Sequence, residues 1–382
     1  MLTYNLLKFI LVISTIIGGY RLQKKVVKTN GNIVYKYPFL WSVFSVLIVY
    51  TFVEGLRYAR AADYFTYYNA FTGDKNVFFE PVFLLLTNIL AYLNAPFYIG
   101  FLTCSFLLIF SGCLLIKEVR FAGLFAIPLF YLDTIGQSSN LVRMYLSLSF
   151  VLIALRYLIQ KKTYKVIIFL VLAFFSHYSS IILFPFIYLF NKFDYPFKSR
   201  YIIMILFFIS NAFPIGLEFI AENISKLQGM GIYDDYLENT DIWVLGIGIE
   251  SLEIDFSVFY YIRLYLIPLF ILWFGYKYIR SYKRYKFGLF YNLYVIGILL
   301  APTALTLPTE IFYRLCLFFL SFKFIILSVI FYDLFNNFRK INIFVRTFVL
   351  FVLSDSIYLL LKTIFNYSSE FGYLFIWDRI IY

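Results

Sequence analysis

Histidine occurs once in these 382 residues, cysteine three times, and only 14% of the chain is charged. Each scarcity excludes something. Cys104, Cys113 and Cys316 all fall inside apolar runs, so neither a disulfide framework nor a cysteine metal cluster is expected. With one histidine and no clustering of His, Asp and Glu, the chemistry is expected to be metal-independent and to need no cofactor. A soluble globular chain is about a quarter charged, and this one falls well short. No internal repeat, low-complexity tract or soluble domain is visible.

What is abundant is oil. The chain is 62% hydrophobic, with 49 Phe and 36 Tyr. Apolar runs of about 17–25 residues, long enough to cross a bilayer as helices, recur from end to end. Lipid cannot hydrogen-bond an open backbone, so such a chain must be almost wholly helical inside the membrane. The expected class is an all-α polytopic membrane protein, a single integral membrane domain of about twelve spans, with tyrosines in the interfacial belts. The net charge of +12 does not indicate nucleic acid, because the basic residues lie in short loops between spans. The first run lacks a basic leader and a small-residue cleavage site, and is expected to be retained as a helix.

Basic loops mark the cytoplasmic side. Six qualify: "RLQKKVVKTNGNIVYK" (21–36), "KEVR" (117–120), "QKKTYK" (160–165), "NKFDYPFKSR" (191–200), "KYIRSYKRYK" (277–286) and "NNFRKINIFVR" (336–346). Placing all of them inside puts both termini outside. Spans are then expected near 4–20, 38–56, 97–116, 121–136, 140–160, 164–177, 178–190, 201–219, 257–276, 287–306, 314–335 and 343–361. Residues 57–81 form a first outer loop. Residues 218–256 form a long acidic one, with nine acids and one base between 218 and 255, which could cover a substrate as a lid.

Two stretches break the pattern. Residues 82–94, "VFLLLTNILAYLN", are too short to cross and too apolar for a free loop, so a re-entrant or interfacial helix is expected. Residues 165–190 carry basic residues at both ends and the single histidine, His177, in the middle. A hairpin is expected, with arms of about 13 residues, or roughly 20 Å. That is shorter than the ~30 Å hydrocarbon core, so the tip "SHYSS" would end below the outer surface. A polar tip at that depth needs protein partners or a water-filled cavity.

The outer side is rich in arginine where the inner side favours lysine: Arg57, Arg60, Arg143, Arg263, Arg314 and Arg379 all fall outside. Arginine grips phosphate with a planar two-pronged fork and keeps its charge when partly desolvated. On a continuous helix Arg57, Arg60, Tyr64 and Tyr67 would share one side, a face suited to a phosphosugar or to lipid headgroups. Glu80-Pro81 starts the short apolar run, with proline in the first helical turn. In "GQSSNLVRMYLSLSF", Ser139 or Asn140 can cap the helix that follows, and Arg143 sits in its first turn. A cation at a helix N-terminus opposes the helix dipole, so Arg143 calls for an anion nearby. In "PTEIFYRL", Glu310 and Arg314 stand at i, i+4.

These pieces, in order, resemble the EpsG-like branch of the Wzy-type polysaccharide polymerases. The carriers are the basic loop after span one, "LRYARAADYFTYYNAF", "FEPVFLLL", "NLVRMYLSLSF…FFSHYSSIIL" and "FYRLCLFF", covering about residues 1 to 335. Three departures stand out: "AADY" where the family places Gly before Asp63, Met144 where Gln follows the arginine, and "SHYSS" in place of "FHxSA". The resemblance implies glycosyl transfer, inverting or retaining, at the outer face of the bacterial cytoplasmic membrane. A chain grown on undecaprenyl pyrophosphate would pass to the next lipid-linked repeat unit. It implies Arg57, Arg60, Arg143 and Arg314 for the pyrophosphate. Tyr64, Tyr67, Glu80, Asn140, Tyr178, Arg263 and Glu310 would contact the substrate. His177 or Asp63 would serve as base, and His177 could instead donate to pyrophosphate or simply close its hairpin by bonding a carbonyl. Expected partners are the lipid-linked oligosaccharide, membrane lipids, a flippase and a chain-length regulator, with no nucleic acid. A flippase, a glycan ligase and a structural subunit are the rival classes. A flippase would often show two related halves around a central site.

Overall fold

The computed structural model describes residues 2–27, 33–59, 61, 63–73, 79–135, 137–193, 199–212, 262–305, 310–365 and 374–375. Arg60, Arg379 and the acidic loop 218–256 lie outside these residues. Two compact units can be told apart in the chain. The first joins Met1–Ser180 to Leu327–Tyr382, and the second is Ile181–Ile326.

The first unit is a helical bundle. α1 (Leu2–Gln23) leads through a small antiparallel ribbon of β1 (Lys25–Val27) and β2 (Ile33–Tyr35) into α2 (Phe39–Gly55). A two-residue strand β3 (Arg57–Tyr58) and the short α3 (Tyr64–Thr72) follow, then α4 (Pro81–Tyr92). α5 (Tyr98–Ile116) and α6 (Gly123–Thr134) form one helical run that turns at Val119 (φ −110°, ψ 33°). α7 (Val142–Ile159) and α8 (Thr163–Ser176) pack against each other. α7 also packs on α5, α5 on α2, and α1 on both α2 and α6.

Close approach of α1 and α6 rests on small residues, as is common between membrane helices. A Cβ on Gly19 would lie 2.4 Å from the carbonyl oxygen of Gly123. Likewise a Cβ on Gly112 of α5 would lie 2.2 Å from the Phe130 ring of α6.

The second unit holds α9 (Leu183–Lys192), α10 (Arg200–Ala212), α11 (Ile267–Ser281), α12 (Phe287–Leu305) and α13 (Glu310–Leu320). A π turn, Ile262–Leu266, precedes α11. α12 packs on α9, α10, α11 and α13, and the Tyr291 hydroxyl donates to the Leu272 carbonyl at 2.6 Å. α14 (Lys323–Asn336) carries the chain back to the first unit. There α15 (Ile343–Phe365) lies against α1 and α6, and β4 (Leu374–Phe375) pairs antiparallel with β3.

Among the described residues, six helical segments are long and apolar enough to cross a membrane, by length and composition. Large apolar side chains such as Trp41, Phe44, Leu85, Ile167 and Ile205 are exposed on helix faces, as lipid contact requires. The protein is a helical membrane protein. The expected short helix at 82–94 is α4: 12 residues, or about 18 Å. It buries Phe83, Thr87 and Leu90 on one side and exposes Leu84, Leu85 and Ile89 on the other.

Two local expectations are corrected. No continuous helix runs from Arg57 to Tyr67, because Ala59 and Ala61 take left-handed φ values of 50° and 80° and break the path. Arg57 is therefore extended, and only Tyr64 and Tyr67 share a helix. The helix carrying Arg143 is not capped by a side chain of Ser139 or Asn140, since Leu141 occupies the cap. The span expected at 314–335 matches an apolar helical segment, Arg314–Asn336, in which a short turn at Ser321 and Phe322 separates α13 from α14.

Candidate functional site

Three helix ends of the first unit meet at one place. α4 begins there, α7 begins there, and α8 ends there. α8 is 14 residues long, about 21 Å at 1.5 Å per residue. His177 leaves the helix in an extended conformation (φ −163°, ψ 111°), and its N–H donates to the Ala173 carbonyl at 3.1 Å. That carbonyl also accepts the Ser147 hydroxyl of α7 at 2.7 Å, which fixes the end of α8 against α7. Ser147 lies one helical turn beyond Arg143 on the same face of α7. The i+4 spacing was the sequence signal for it.

The Glu80 carboxylate joins the other two ends. Its Oε2 accepts from Arg143 Nη1 at 2.5 Å, and its Oε1 lies 2.8 Å from His177 Nδ1. The Glu80 side chain is only 3% exposed, while that of Arg143 is 24% exposed and forms the open edge of the cluster. Burial alone would push the Glu80 carboxyl up. The hydrogen bond with His177 and the charge of Arg143 outweigh it and hold the group below the ordinary carboxylate range. Glu80 is thus an anion at neutral pH. The anion that the dipole argument demanded beside Arg143 is supplied by the protein itself.

Aromatic rings complete the setting. The Arg143 guanidinium lies 5.1 Å from the Phe79 ring centre, a cation–π contact. Tyr67 stacks on Phe79 (6.4 Å, 22°), meets Phe83 edge-on and bonds to Arg143 through its hydroxyl. Phe79 was not singled out from sequence. Its only signal was its place next to Glu80.

The remaining predicted residues fall as follows. Arg57 is buried at 3% exposure, with its guanidinium over Phe101 at 4.7 Å. It donates to the carbonyl of Glu54 and, at 3.3 Å, to that of Ser139. These bonds tie the end of α2 to the loop that delivers Arg143. Asn140 Oδ1 accepts the backbone N–H of Asp63 at 3.0 Å, which fastens the same loop to the start of α3. Tyr64 is fully buried, stacked on Phe101 at 5.0 Å. Tyr178 follows His177 in a 3₁₀ turn, with its ring 5.0 Å from that of Phe174. Arg263 stands in the π turn and Arg314 on α13, both in the second unit; the side chain of Glu310 is outside the described ones. Sequence reading passed over Glu54, a carboxylate buried inside α2. Among the described residues no group of three or more His, Cys, Asp or Glu could hold a metal ion.

At the opposite ends of α7 and α5 the chemistry differs. Glu118 Oε1 accepts from Arg156 at 3.1 Å and from Gln160 at 2.7 Å. Arg120 donates to the carbonyls of Leu22 and Tyr37, each at 2.9 Å, and stacks on Tyr35 at 3.8 Å. Within this unit the basic loops thus gather at one end of the bundle and the Arg143–Glu80–His177 cluster at the other.

The fold is that of a helical membrane protein with an Arg–Glu–His cluster at one end of a bundle. The chain matches the EpsG family model over residues 40–373, and it belongs to the EpsG family. That family is associated with glycosyltransferase-like polysaccharide polymerases. The match spans all three cluster residues; it begins after α1 and continues past α15, beyond the stretch the motifs had covered. Neither the curated proteins nor the solved structures contain a match to the chain.

Proposed function

We propose that this protein polymerises oligosaccharide repeat units carried on undecaprenyl pyrophosphate, at the outer face of the bacterial cytoplasmic membrane. The observation that carries this reading is the convergence of Arg143 and His177, from separate helices, on the single carboxylate of Glu80. A cation for a departing pyrophosphate and a group able to accept a proton are what the transfer needs.

In the proposed reaction an acceptor-sugar hydroxyl oxygen forms a bond to the anomeric carbon of the growing chain. The bond from that carbon to the pyrophosphate oxygen breaks, and its electron pair leaves with the lipid pyrophosphate. The hydroxyl proton passes to Nε2 of His177, the ring nitrogen not held by Glu80. Arg143 stabilises the charge that builds on the leaving group. No step calls on a metal ion. A twelve-span topology with both termini outside fits the reading: α5 and α6 count separately, α13 and α14 count as one, and α4 does not cross. The partners proposed are the lipid-linked oligosaccharide, a flippase that delivers it and a chain-length regulator.

The test is purified protein with one synthetic lipid-linked repeat unit, the products resolved by size. A ladder of lengths is expected. A single transfer product would make the protein a ligase, and lipid scrambling without product a flippase; either result overturns the reading.

A further inference from the structure

Glu80 occupies the cap position of α4, with Pro81 as the first helical residue. A carboxylate there ordinarily accepts N–H groups of its own helix. This one makes no side-chain cap bond. Both of its oxygens are turned instead to residues 63 and 97 positions away in the chain. A side chain that forgoes its local role and is held at 3% exposure is committed to its two partners.

Those partners have opposite requirements. His177, with Nδ1 held by a carboxylate, carries its proton on Nδ1 when neutral and so presents a lone pair at Nε2. It needs Glu80 to stay. Arg143 in the resting state spends Nη1 on Glu80, while its buried Nε has no hydrogen-bond partner among the described residues. The guanidinium is held by Glu80 and by the Tyr67 hydroxyl and keeps Nε as an unused donor. A phosphate group offers more acceptor oxygens and carries more charge than one carboxylate.

Resting on the pyrophosphate reading above, we infer that Glu80 is a positioning residue and the resident anion of the site: the donor's pyrophosphate competes it off Arg143, while its other oxygen keeps His177 oriented. The carboxylate then suppresses capture of stray anions and ties the orientation of the base to an intact donor site.

Inorganic pyrophosphate is the probe, and full-length protein in lipid nanodiscs is the sample. Binding is read as a concentration-dependent thermal shift, which needs no glycan product. Glu80→Gln keeps the size of the side chain and removes the charge. It is expected to bind pyrophosphate about tenfold more tightly than wild type, and the gain should vanish in Glu80→Gln/Arg143→Ala. In the polymerisation assay the same variant should lose about a hundredfold in kcat through the misplaced base, with KM for the lipid-linked repeat unchanged or lower. A residue that merely held the fold would raise KM and lower the yield of folded protein. Unchanged or weaker pyrophosphate binding by a folded Glu80→Gln overturns the inference, as does wild-type kcat. If wild type forms no polymer while Glu80→Gln binds pyrophosphate more tightly, the competition stands and the polymerase reading fails. If wild type forms a ladder and the affinities are equal, the reverse holds.

Discussion

His177 Nδ1 lies 2.8 Å from Glu80 Oε1, a contact spanning 97 residues of sequence and joining the end of α8 to the start of α4. A histidine that only closed its turn would be satisfied by a nearby carbonyl. This one is bound to an ion that is itself bound to an arginine. Replacing His177 by Gln keeps a hydrogen-bonding side chain but removes proton exchange. Both His177→Gln and His177→Ala should reach the membrane at normal levels and lose polymer by at least about a hundredfold. Polymer formation by His177→Gln at the wild-type rate would make the histidine structural.

Arg143 sits in the first turn of α7, where the helix dipole disfavours a cation, and is retained there by Glu80 and Phe79. Lysine would keep the charge but lose the planar fork and its stacking on Phe79. Arg143→Lys should therefore fail to restore polymer, and Arg143→Ala should lose it without loss of expression. The check is polymer length and rate from membranes with matched protein levels. Wild-type output from Arg143→Lys would reduce Arg143 to a generic cation.

Much of the helical framework was legible because apolar run length and basic loops report directly on burial in lipid. The boundaries of α2, α5 and α7 follow the runs read at 38–56, 97–116 and 140–160. The first outer loop was less legible. Alanines at 59 and 61 carry no turn signal and favour helix, yet β3–β4 pairing and the buried bonds of Arg57 pull the backbone out of it. Asn140 looked like a helix cap and instead reaches 77 residues back to Asp63. The need for an anion at Arg143 could be derived from the helix dipole. That the anion is Glu80 could not, since local spacing holds no trace of a partner 63 residues away.

The α1–α6 contact makes a prediction about stability. A Cβ on Gly19 would meet backbone, the Gly123 carbonyl oxygen, at 2.4 Å, and backbone cannot swing aside as a flexible side chain can. Gly19→Ala should force the two helices apart and lower the thermal midpoint of the purified protein, with yield falling in parallel. Gly73→Ala, where a Cβ would meet nothing within 4 Å but φ is +93°, should cost only the local turn, about 1 kcal/mol. A Gly19→Ala midpoint equal to wild type would remove close helix packing as the reason for that glycine.

Sidedness is the last prediction. α7 starts at the Arg143 cluster and ends beside Arg156, Gln160 and the basic turn 160–165, so its two ends lie on opposite sides if it crosses the membrane. Its 18 residues extend about 27 Å, close to the hydrocarbon thickness. Positive charge retained in the cytoplasm predicts which end is which. Two exposed positions read this out: Thr72, at the end of α3 on the cluster side, and Lys162, in the turn before α8. Cys104, Cys113 and Cys316 are all buried and free, so a cysteine-free background requires only their conservative replacement. In intact cells an impermeant thiol reagent should label Thr72→Cys, and it should label Lys162→Cys only after the membrane is opened. Labelling of Lys162→Cys alone in intact cells would invert the map and place the Arg143–Glu80–His177 cluster on the cytoplasmic side. There it would meet nucleotide-activated donors, and transfer between flipped lipid-linked repeats would no longer be tenable.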